Sequence, residues 1–347
     1  MDKTRDPRLD LVRSAAIFFV ICVHFYDSSG FPGQTMGGAA DFLMLCGWLV
    51  THTCVPLFLL LSGWLCGKKT LSKAYYLGLI RIAGLYLLCS LACLAFRALW
   101  LREEMGLRYV FGSIVNFYAC GYAWYVMLYL GLFLMIPFLN LIWANLQSKT
   151  AKRALVATAF ALSILPSLLN QFIQLYSIWW TRLYPICYYF AGAYLREFCP
   201  RPRGKKVLPP LILAVVLFAA FDLVFYRSRA QAMIGVAYEN YQVFTVSVLM
   251  FLCLLSAPAF EGGIKRFLTL ASKLSYGMYL LSWIPDNVLY PRLIAAFPEP
   301  AARYVWMLPC ALGVFFVSLI LSQLAQAIHA PIEKALRKRF ILLFHRK

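Results

Sequence analysis

Two ionisable side chains on one hydrophobic segment, Arg13 and His24, have the types and the spacing that a reaction site would need. They are eleven positions apart, close to three helical turns at ~3.6 residues per turn, so they face the same way. Their heights along a helix differ by roughly 16 Å at ~1.5 Å per residue, about half the thickness of a hydrocarbon core. Ionisable groups at such depth are costly and usually mark a pathway or a site.

His24 is predicted to act as a general base, because a neutral imidazole exchanges protons readily near neutral pH. Asp27 follows three positions later on the same helix face. We predict that Asp27 shares the catalytic role by accepting a hydrogen bond from the other ring nitrogen. Asp41, at the start of the next apolar segment, is a second candidate for that acceptor. The alternative is a histidine that only hydrogen-bonds at the membrane surface.

Arg13 and Arg81 are predicted to bind an anionic ligand. Arg13 has Asp10 at i−3 as an ion partner, and an arginine beside a first apolar segment is also a common topology signal. Arg81 enters the third apolar segment after the basic cluster 68–73. A buried guanidinium there would need an anion, either a phosphate-rich cytoplasmic cosubstrate or a neighbouring lipid phosphate.

Ser62 is predicted to contact substrate. It lies with Gly63 in the apolar run VPLFLLLSGWL, where Pro56 removes a backbone donor and kinks the helix. The Ser-Gly pair lets another helix approach closely and supplies one hydroxyl. The surrounding residues are not those of a GxSxG elbow, so a serine nucleophile is not expected.

Aromatic residues near the ends of apolar segments are candidates for binding a sugar. Trp124 and Tyr125 open the fourth segment and Tyr279 lies in the ninth. Interfacial aromatic belts explain most such residues, but aromatic faces also stack on sugar rings. Asp222, inside the seventh segment, is expected to pair with an arginine or a backbone group.

Composition indicates the elements that must position these residues. The chain has 347 residues, of which 62% are hydrophobic and 14% charged, with a mean hydropathy of +0.72. A soluble domain carries roughly 25% charged residues, so we predict an all-α, polytopic membrane protein. The net charge of +19 is interpreted as topology, and no nucleic acid partner is expected. The eleven cysteines show no zinc-type spacing, so no metal is expected.

About ten membrane spans are predicted from the apolar segments, with both termini in the cytoplasm. This orientation places 25 of the 33 Lys and Arg residues inside, as the positive-inside rule requires. The other eight are all arginines, which either pair with local carboxylates or bind anionic groups. The predicted spans are 9–27, 42–66, 76–100, 122–143, 153–172, 183–199, 208–226, 240–260, 268–290 and 304–328.

No loop is long enough to form a separate domain. We predict one membrane domain over 1–329 and a basic, amphipathic cytoplasmic tail over 330–347, suited to lipids of an anionic inner leaflet. The first apolar segment has a basic start like a signal peptide, but no small-x-small cleavage site follows it. We expect it to stay as an anchor. The aromatic stretch 111–125 either lies in the interface or turns back inward.

Taken together, these segments resemble the membrane acyltransferase-3 family. The Arg13–His24 spacing matches the family's Arg-x10-His pattern, and the resemblance covers nearly the whole chain. Each short motif is weak alone, but their order and the Arg-to-His spacing make the resemblance specific. The segments that carry it are LDLVRSAAIFFVICVHF, VPLFLLLSGWL, AWYVMLYLGLFLMIPFL, YPICYYFAGAYL and SYGMYLLSW.

The resemblance implies an O-acyltransferase of the plasma membrane. Such an enzyme moves an acyl group, here acetyl or succinyl, from cytoplasmic acyl-CoA to a hydroxyl of a cell-surface or lipid-linked glycan, as in cell-wall modification. By this resemblance Arg13 and Arg81 hold the acyl-CoA and His24 serves the transfer. A homo-oligomer or partners in polysaccharide assembly remain open.

The chain departs from the family pattern at two positions. Gly78 stands three positions before Arg81, where the family often has a second arginine, and Ser282 stands where a late histidine is usual. Two other classes therefore stay open. One is a transporter of a glycan or small solute with Arg13, His24 and Asp222 along its path, although no inverted repeat is visible. The other is a non-catalytic subunit of a polysaccharide-assembly complex.

Overall fold

The predicted all-α fold is confirmed by a computed structural model that describes residues 6–34, 37–171, 173–200, 202–229 and 237–344. Every regular element in these ranges is helical. The helices are α1 (Pro7–Ser29), α2 (Ala39–Thr51), α3 (Cys54–Cys66), α4 (Lys73–Tyr76), α5 (Gly78–Leu99), α6 (Leu107–Val115), α7 (Trp124–Asn145), α8 (Lys149–Ser163), α9 (Leu165–Leu169), α10 (Tyr184–Phe198), α11 (Gly204–Arg229), α12 (Tyr241–Leu255), α13 (Gly262–Leu281), α14 (Trp283–Ala296) and α15 (Met307–Phe344).

Six of the described helical segments are long and apolar enough to cross a membrane, so the chain is a multi-pass membrane protein. They are Pro7–Ser29, Ala39–Cys66, Lys73–Leu99, Trp124–Asn145, Gly204–Phe225 and Pro300–Lys338. The other four predicted spans correspond to shorter or interrupted helices. For example, α10 and α12 have 15 residues each, and the predicted span 268–290 is divided between α13 and α14. The number of ten spans therefore stays a prediction.

Helix α1 lies at the centre of the bundle. Asp6 caps its first turn by accepting from the backbone N–H of Arg8, and Gly30 ends it at a φ of 79°, in the left-handed region. The helix packs against α3, α13 and α15. Side chains on several of its faces, among them Ile17 and Phe25, are fully buried. A helix that is apolar all round is expected in such a central position, and this burial holds Arg13 and His24 at fixed heights.

Helices α3 and α10 cross at a pair of glycines. A Cβ atom added at Gly63 would lie 1.9 Å from the carbonyl oxygen of Tyr189, and one at Gly192 would lie 2.1 Å from that of Leu60. Backbones this close need glycine at both positions. The Ser-Gly pair of the second predicted span thus brings another helix close, as predicted. The predicted kink near Pro56 lies where α2 ends and α3 begins.

Several arginines of the predicted outer side are bound within the protein itself. Arg97 pairs with Glu103 at 3.0 Å, and this pair fits the prediction of local carboxylate partners. Arg303 is buried and donates instead to the backbone carbonyls of Phe297, Ser29 and Pro298. It therefore ties the connection after α14 to the end of α1.

The last helix does not stop at the predicted tail boundary. Helix α15 runs from Met307 to Phe344 and contains Pro331. The predicted tail 330–347 therefore continues the last span as helix over its described part. The division into a membrane domain and a tail remains a prediction.

Candidate functional site

A cavity of about 770 Å³ is lined by five of the predicted site residues. They come from α1, α3, α5, α7 and α13 and are Arg13, Ser62, Arg81, Tyr125 and Tyr279. We call this space the large cavity. The structure therefore brings together residues that the sequence singled out in five separate segments.

The charged side chains that line the large cavity are cationic. Besides Arg13 and Arg81 they include Lys273 and Arg337, and no acidic residue lines the cavity within the part of the chain that the structure describes. Arg13 donates to the hydroxyl of Ser272 at 3.1 Å, and Arg337 pairs with Glu333 at 2.9 Å. Arg81 has an exposed side chain, and the anion predicted for its guanidinium stays a prediction. A set of cations with open access suits a ligand with several phosphates.

Ser62 and Tyr279 contribute hydroxyls whose partners lie in the protein. Ser62 donates to the carbonyl of Phe58, one turn earlier in its own helix, at 2.8 Å. The Tyr279 hydroxyl accepts from the backbone N–H of Tyr125 at 3.4 Å, and the two rings stand edge to face at 5.8 Å. Tyr279 thus fixes the start of α7 against α13.

A second space of about 100 Å³, which we call the small cavity, contains His24. Asp27, Trp124 and Tyr279 also line it, together with Tyr238. The indole of Trp124 stacks on the Tyr238 ring at 5.6 Å and 23°. The small cavity therefore gathers a candidate base, a carboxyl group and aromatic faces.

The carboxylate that faces the imidazole is Asp286. Its Oδ2 lies 3.6 Å from Nδ1 of His24, a distance at which the two attract once the ring is protonated. Asp286 is buried. Asp41, the second candidate, accepts from the backbone N–H groups of Gly37 and Gly38 at 2.9 Å and so holds the start of α2.

Asp27 lines the small cavity beside His24. No hydrogen bond joins its carboxyl to the imidazole among the residues described, and its side chain is exposed. Its predicted catalytic role stays a prediction. The partner that the sequence analysis did not assign is Asp286, which follows the break between α13 and α14.

Tyr122 contacts both His24 and Asp286. Its ring stacks on the imidazole of His24 with centroids 3.4 Å apart, and its hydroxyl donates to Oδ2 of Asp286 at 2.9 Å. Burial first, and then the Asp286 carboxylate, raise the pKa of Tyr122 well above its usual value. The phenol therefore stays protonated and remains a donor. The stretch 111–125 was predicted either to lie in the interface or to turn back inward. Tyr122 turns inward, whereas Phe111 is exposed.

Three buried polar atoms around this pair have no hydrogen-bond partner within the described residues. They are Nδ1 of His24, Oδ1 of Asp286 and the hydroxyl of Tyr290. Buried polar groups are nearly always paired, and a cluster of unpaired ones is costly. These three atoms are therefore candidates for contact with ordered water or a bound molecule.

The large and small cavities share part of their walls. Val20, Val55 and Tyr279 line both. Each of the three is buried, and they come from α1, α3 and α13. The shared wall lies between the cationic residues and His24, along the helix face on which the sequence had placed Arg13 and His24.

Two further positions of the sequence analysis lie away from both cavities. Ser282 is fully buried and donates to the carbonyl of Tyr279 at 3.0 Å, where α13 ends. Asp222 accepts from the Gln242 side chain at 2.9 Å between α11 and α12. The predicted arginine or backbone partner of Asp222 stays a prediction, and Asp222 lines neither cavity. Gly78 does line the large cavity.

Fold and site together define a helical membrane protein in which His24 and a group of cations line two cavities that share three residues. A family model described as an acyltransferase domain matches residues 6–324. The chain belongs to the acyltransferase-3 family, as the sequence motifs indicated. No curated protein and no solved structure matches it.

Proposed function

We propose that this acyltransferase moves an acetyl or succinyl group from cytoplasmic acyl-CoA to a hydroxyl of a cell-surface or lipid-linked glycan at the plasma membrane. The observation that carries the proposal is the shared wall of the two cavities. On one side lie the four cations of the large cavity and on the other lies His24. When the thioester of acyl-CoA is placed at this wall, the CoA phosphates lie near the cations and the acyl carbon lies near the imidazole.

The transfer step follows from the geometry around His24. Since Nδ1 faces Asp286, Nε2 is the nitrogen that takes the proton of the acceptor hydroxyl. The hydroxyl oxygen attacks the thioester carbon, the new C–O bond forms, and the C–S bond breaks. The proton then passes from the imidazolium to the leaving thiolate, which departs as free CoA.

Asp286 and Tyr122 support this step through the histidine. The carboxylate stabilises the positive charge that develops on the ring, and the stacked phenol restricts the ring's rotation. The small cavity also holds Trp124, whose exposed face suits a sugar ring. In this proposal Ser62 and Tyr125 line the donor side.

The test compares the same substitution at two histidines. His24→Asn removes the base and is expected to lower transfer of radiolabelled acetyl from acetyl-CoA to the cell-envelope glycan fraction about a thousand-fold, within the ~10²–10⁴ range of general base catalysis. His52→Asn is the matched control, since buried His52 contacts the Trp48 carbonyl at 2.9 Å and lines neither cavity. Mass spectrometry of surface glycans should show ester-linked acyl groups only in cells with active protein.

Two results would contradict the proposed function. One is wild-type transfer by a stably inserted His24→Asn protein. The other is uptake or efflux of a solute by vesicles that contain the purified protein and no acyl-CoA, with no change in glycan esters. The second result would favour a transporter.

A further inference from the structure

We propose that the wall shared by the two cavities selects a short, uncharged acyl group, and that Val55 is its main specificity-determining residue. This inference rests on the proposed function. It adds a limit on the acyl chain, which the predicted choice between acetyl and succinyl left open.

The position of acyl-CoA follows from its two ends, the CoA phosphates and the acyl group, which must be held at the same time. The CoA phosphates stay with the cations of the large cavity, while the acyl carbon must come within ~3–3.5 Å of an attacking oxygen that His24 deprotonates. The thioester therefore lies at Val20, Val55 and Tyr279. The acyl chain then extends into the small cavity, which it must share with the acceptor hydroxyl.

Volume limits the length of that chain. The small cavity has about 100 Å³, compared with about 770 Å³ for the large one. A cavity of ~150 Å³ takes one benzene, which has six non-hydrogen atoms, so a cavity of this size takes roughly four. An acetyl group adds three non-hydrogen atoms and leaves room for little more than the acceptor oxygen. Each further methylene competes with the acceptor for the same space.

The wall is not free to widen. Val20, Val55 and Tyr279 are 4%, 3% and 5% exposed. Val20 belongs to α1, and the other two belong to α3 and α13, which both pack on α1. Close-packed interiors do not yield easily to an added methylene. Val55 also stands one position before Pro56, at the rigid start of α3.

Charge separates acetyl from succinyl. The described lining of the small cavity contains Asp27 and no lysine or arginine. A succinyl carboxylate would enter this space without a cationic partner, and burying an unpaired charge is strongly unfavourable. The cations lie on the other side of the wall, with the phosphates of the donor.

The experiment measures transfer from acetyl-, propionyl-, butyryl- and succinyl-CoA by purified full-length protein in detergent. The acceptor is the envelope glycan fraction of cells that lack the gene. Wild type is expected to prefer acetyl to butyryl by at least tenfold, since one methylene in an apolar pocket changes rates ~10–200-fold. Val55→Ala is expected to raise the butyryl-to-acetyl ratio about tenfold, with succinyl transfer still low.

The control is Val246→Ala, the same change at a fully buried valine of α12 that lines neither cavity. Its ratio should equal that of wild type. If Val55→Ala does not fold, Val20→Ala provides the same test from α1. Equal rates for all donors with wild type would overturn the size limit while leaving the proposed function intact, as would an unchanged ratio in both folded variants. Absence of transfer from every donor would overturn both.

Discussion

The large and the small cavity differ in how each is built. The large cavity is wide, and its cations Arg81 and Lys273 are exposed side chains placed on separate helices. The small cavity is about one-eighth of that volume. Around its histidine, the Tyr122 ring and the Asp286 carboxylate lie within 4 Å.

This difference reflects two physical requirements. Attraction between cations and a polyphosphate falls off slowly with distance, so side chains from several helices contribute without exact placement. Proton transfer, in contrast, needs atoms within hydrogen-bond reach and a ring held in one orientation. We therefore expect changes in the small cavity to act on kcat and changes in the large cavity to act on KM for acyl-CoA.

The largest effect that separates the two regions is expected for Asp286→Asn. The variant keeps the shape of the side chain but removes the charge that stabilises protonated His24. We expect kcat to fall about 100-fold, equivalent to about 2.7 kcal/mol at 1.36 kcal/mol per factor of ten. KM for acetyl-CoA should change little, because Asp286 does not line the large cavity. Steady-state kinetics on purified protein provide both values.

Asp27→Asn is the comparison for this variant, because the sequence predicts for Asp27 the role that we propose for Asp286. We expect the smaller loss in kcat at Asp27, whose exposed carboxyl makes no hydrogen bond to the imidazole among the described residues. A greater loss at Asp27 than at Asp286 would reverse the assignment.

A medium effect is expected for Arg337→Gln in the large cavity. Removing one cation should raise KM for acetyl-CoA about three- to tenfold and leave kcat nearly unchanged, since the side chain is partly exposed and its contacts are screened by water. Lys334→Gln is the matched control, because Lys334 is an exposed cation on the same helix that does not line the cavity. Equal KM values for the two variants would remove Arg337 from the donor site.

The smallest effect is expected for Ser282→Ala. Its hydroxyl bonds to the carbonyl of Tyr279 in the preceding helical turn, and its side chain lines neither cavity. Bonds of this type add little to stability, so kcat and KM should stay within about twofold of wild type. A loss comparable to that of His24→Asn would instead show that position 282 takes part in the reaction, as the usual histidine of the family suggested.

The sequence predicted the parts of the fold that depend on local pattern. The apolar segments with long helices were found by hydropathy, and the Arg13–His24 register followed from helical geometry alone. The spans around α8, α10, α12 and α13–α14 were harder to predict, because hydropathy does not show where a helix breaks. At Ser282 the chain ends one helix and begins the next without a proline or glycine at the break itself.

The candidate site was predictable only where its residues share one helix or one motif. Asp286 joins His24 through the packing of α14 on α1, and nothing local in the sequence links the two. Arg337 was assigned to a basic tail, because a basic segment after the last apolar run is usually a membrane-surface feature. The aromatic stretch 111–125 was predicted either to lie in the interface or to turn back inward. Nothing in the sequence distinguished Tyr122 from its neighbours in that stretch.

The central place of α1 has a consequence for biosynthesis. Ribosomes make this helix before α13, α14 and α15, against which it packs. A nascent chain that ends before α13 therefore inserts Arg13 and His24 into the bilayer without Ser272, Asp286 or the Arg303 contact to the end of α1. Both cavities lack Tyr279 at that stage. We therefore expect a C-terminal truncation before α13 to yield an inserted but inactive protein.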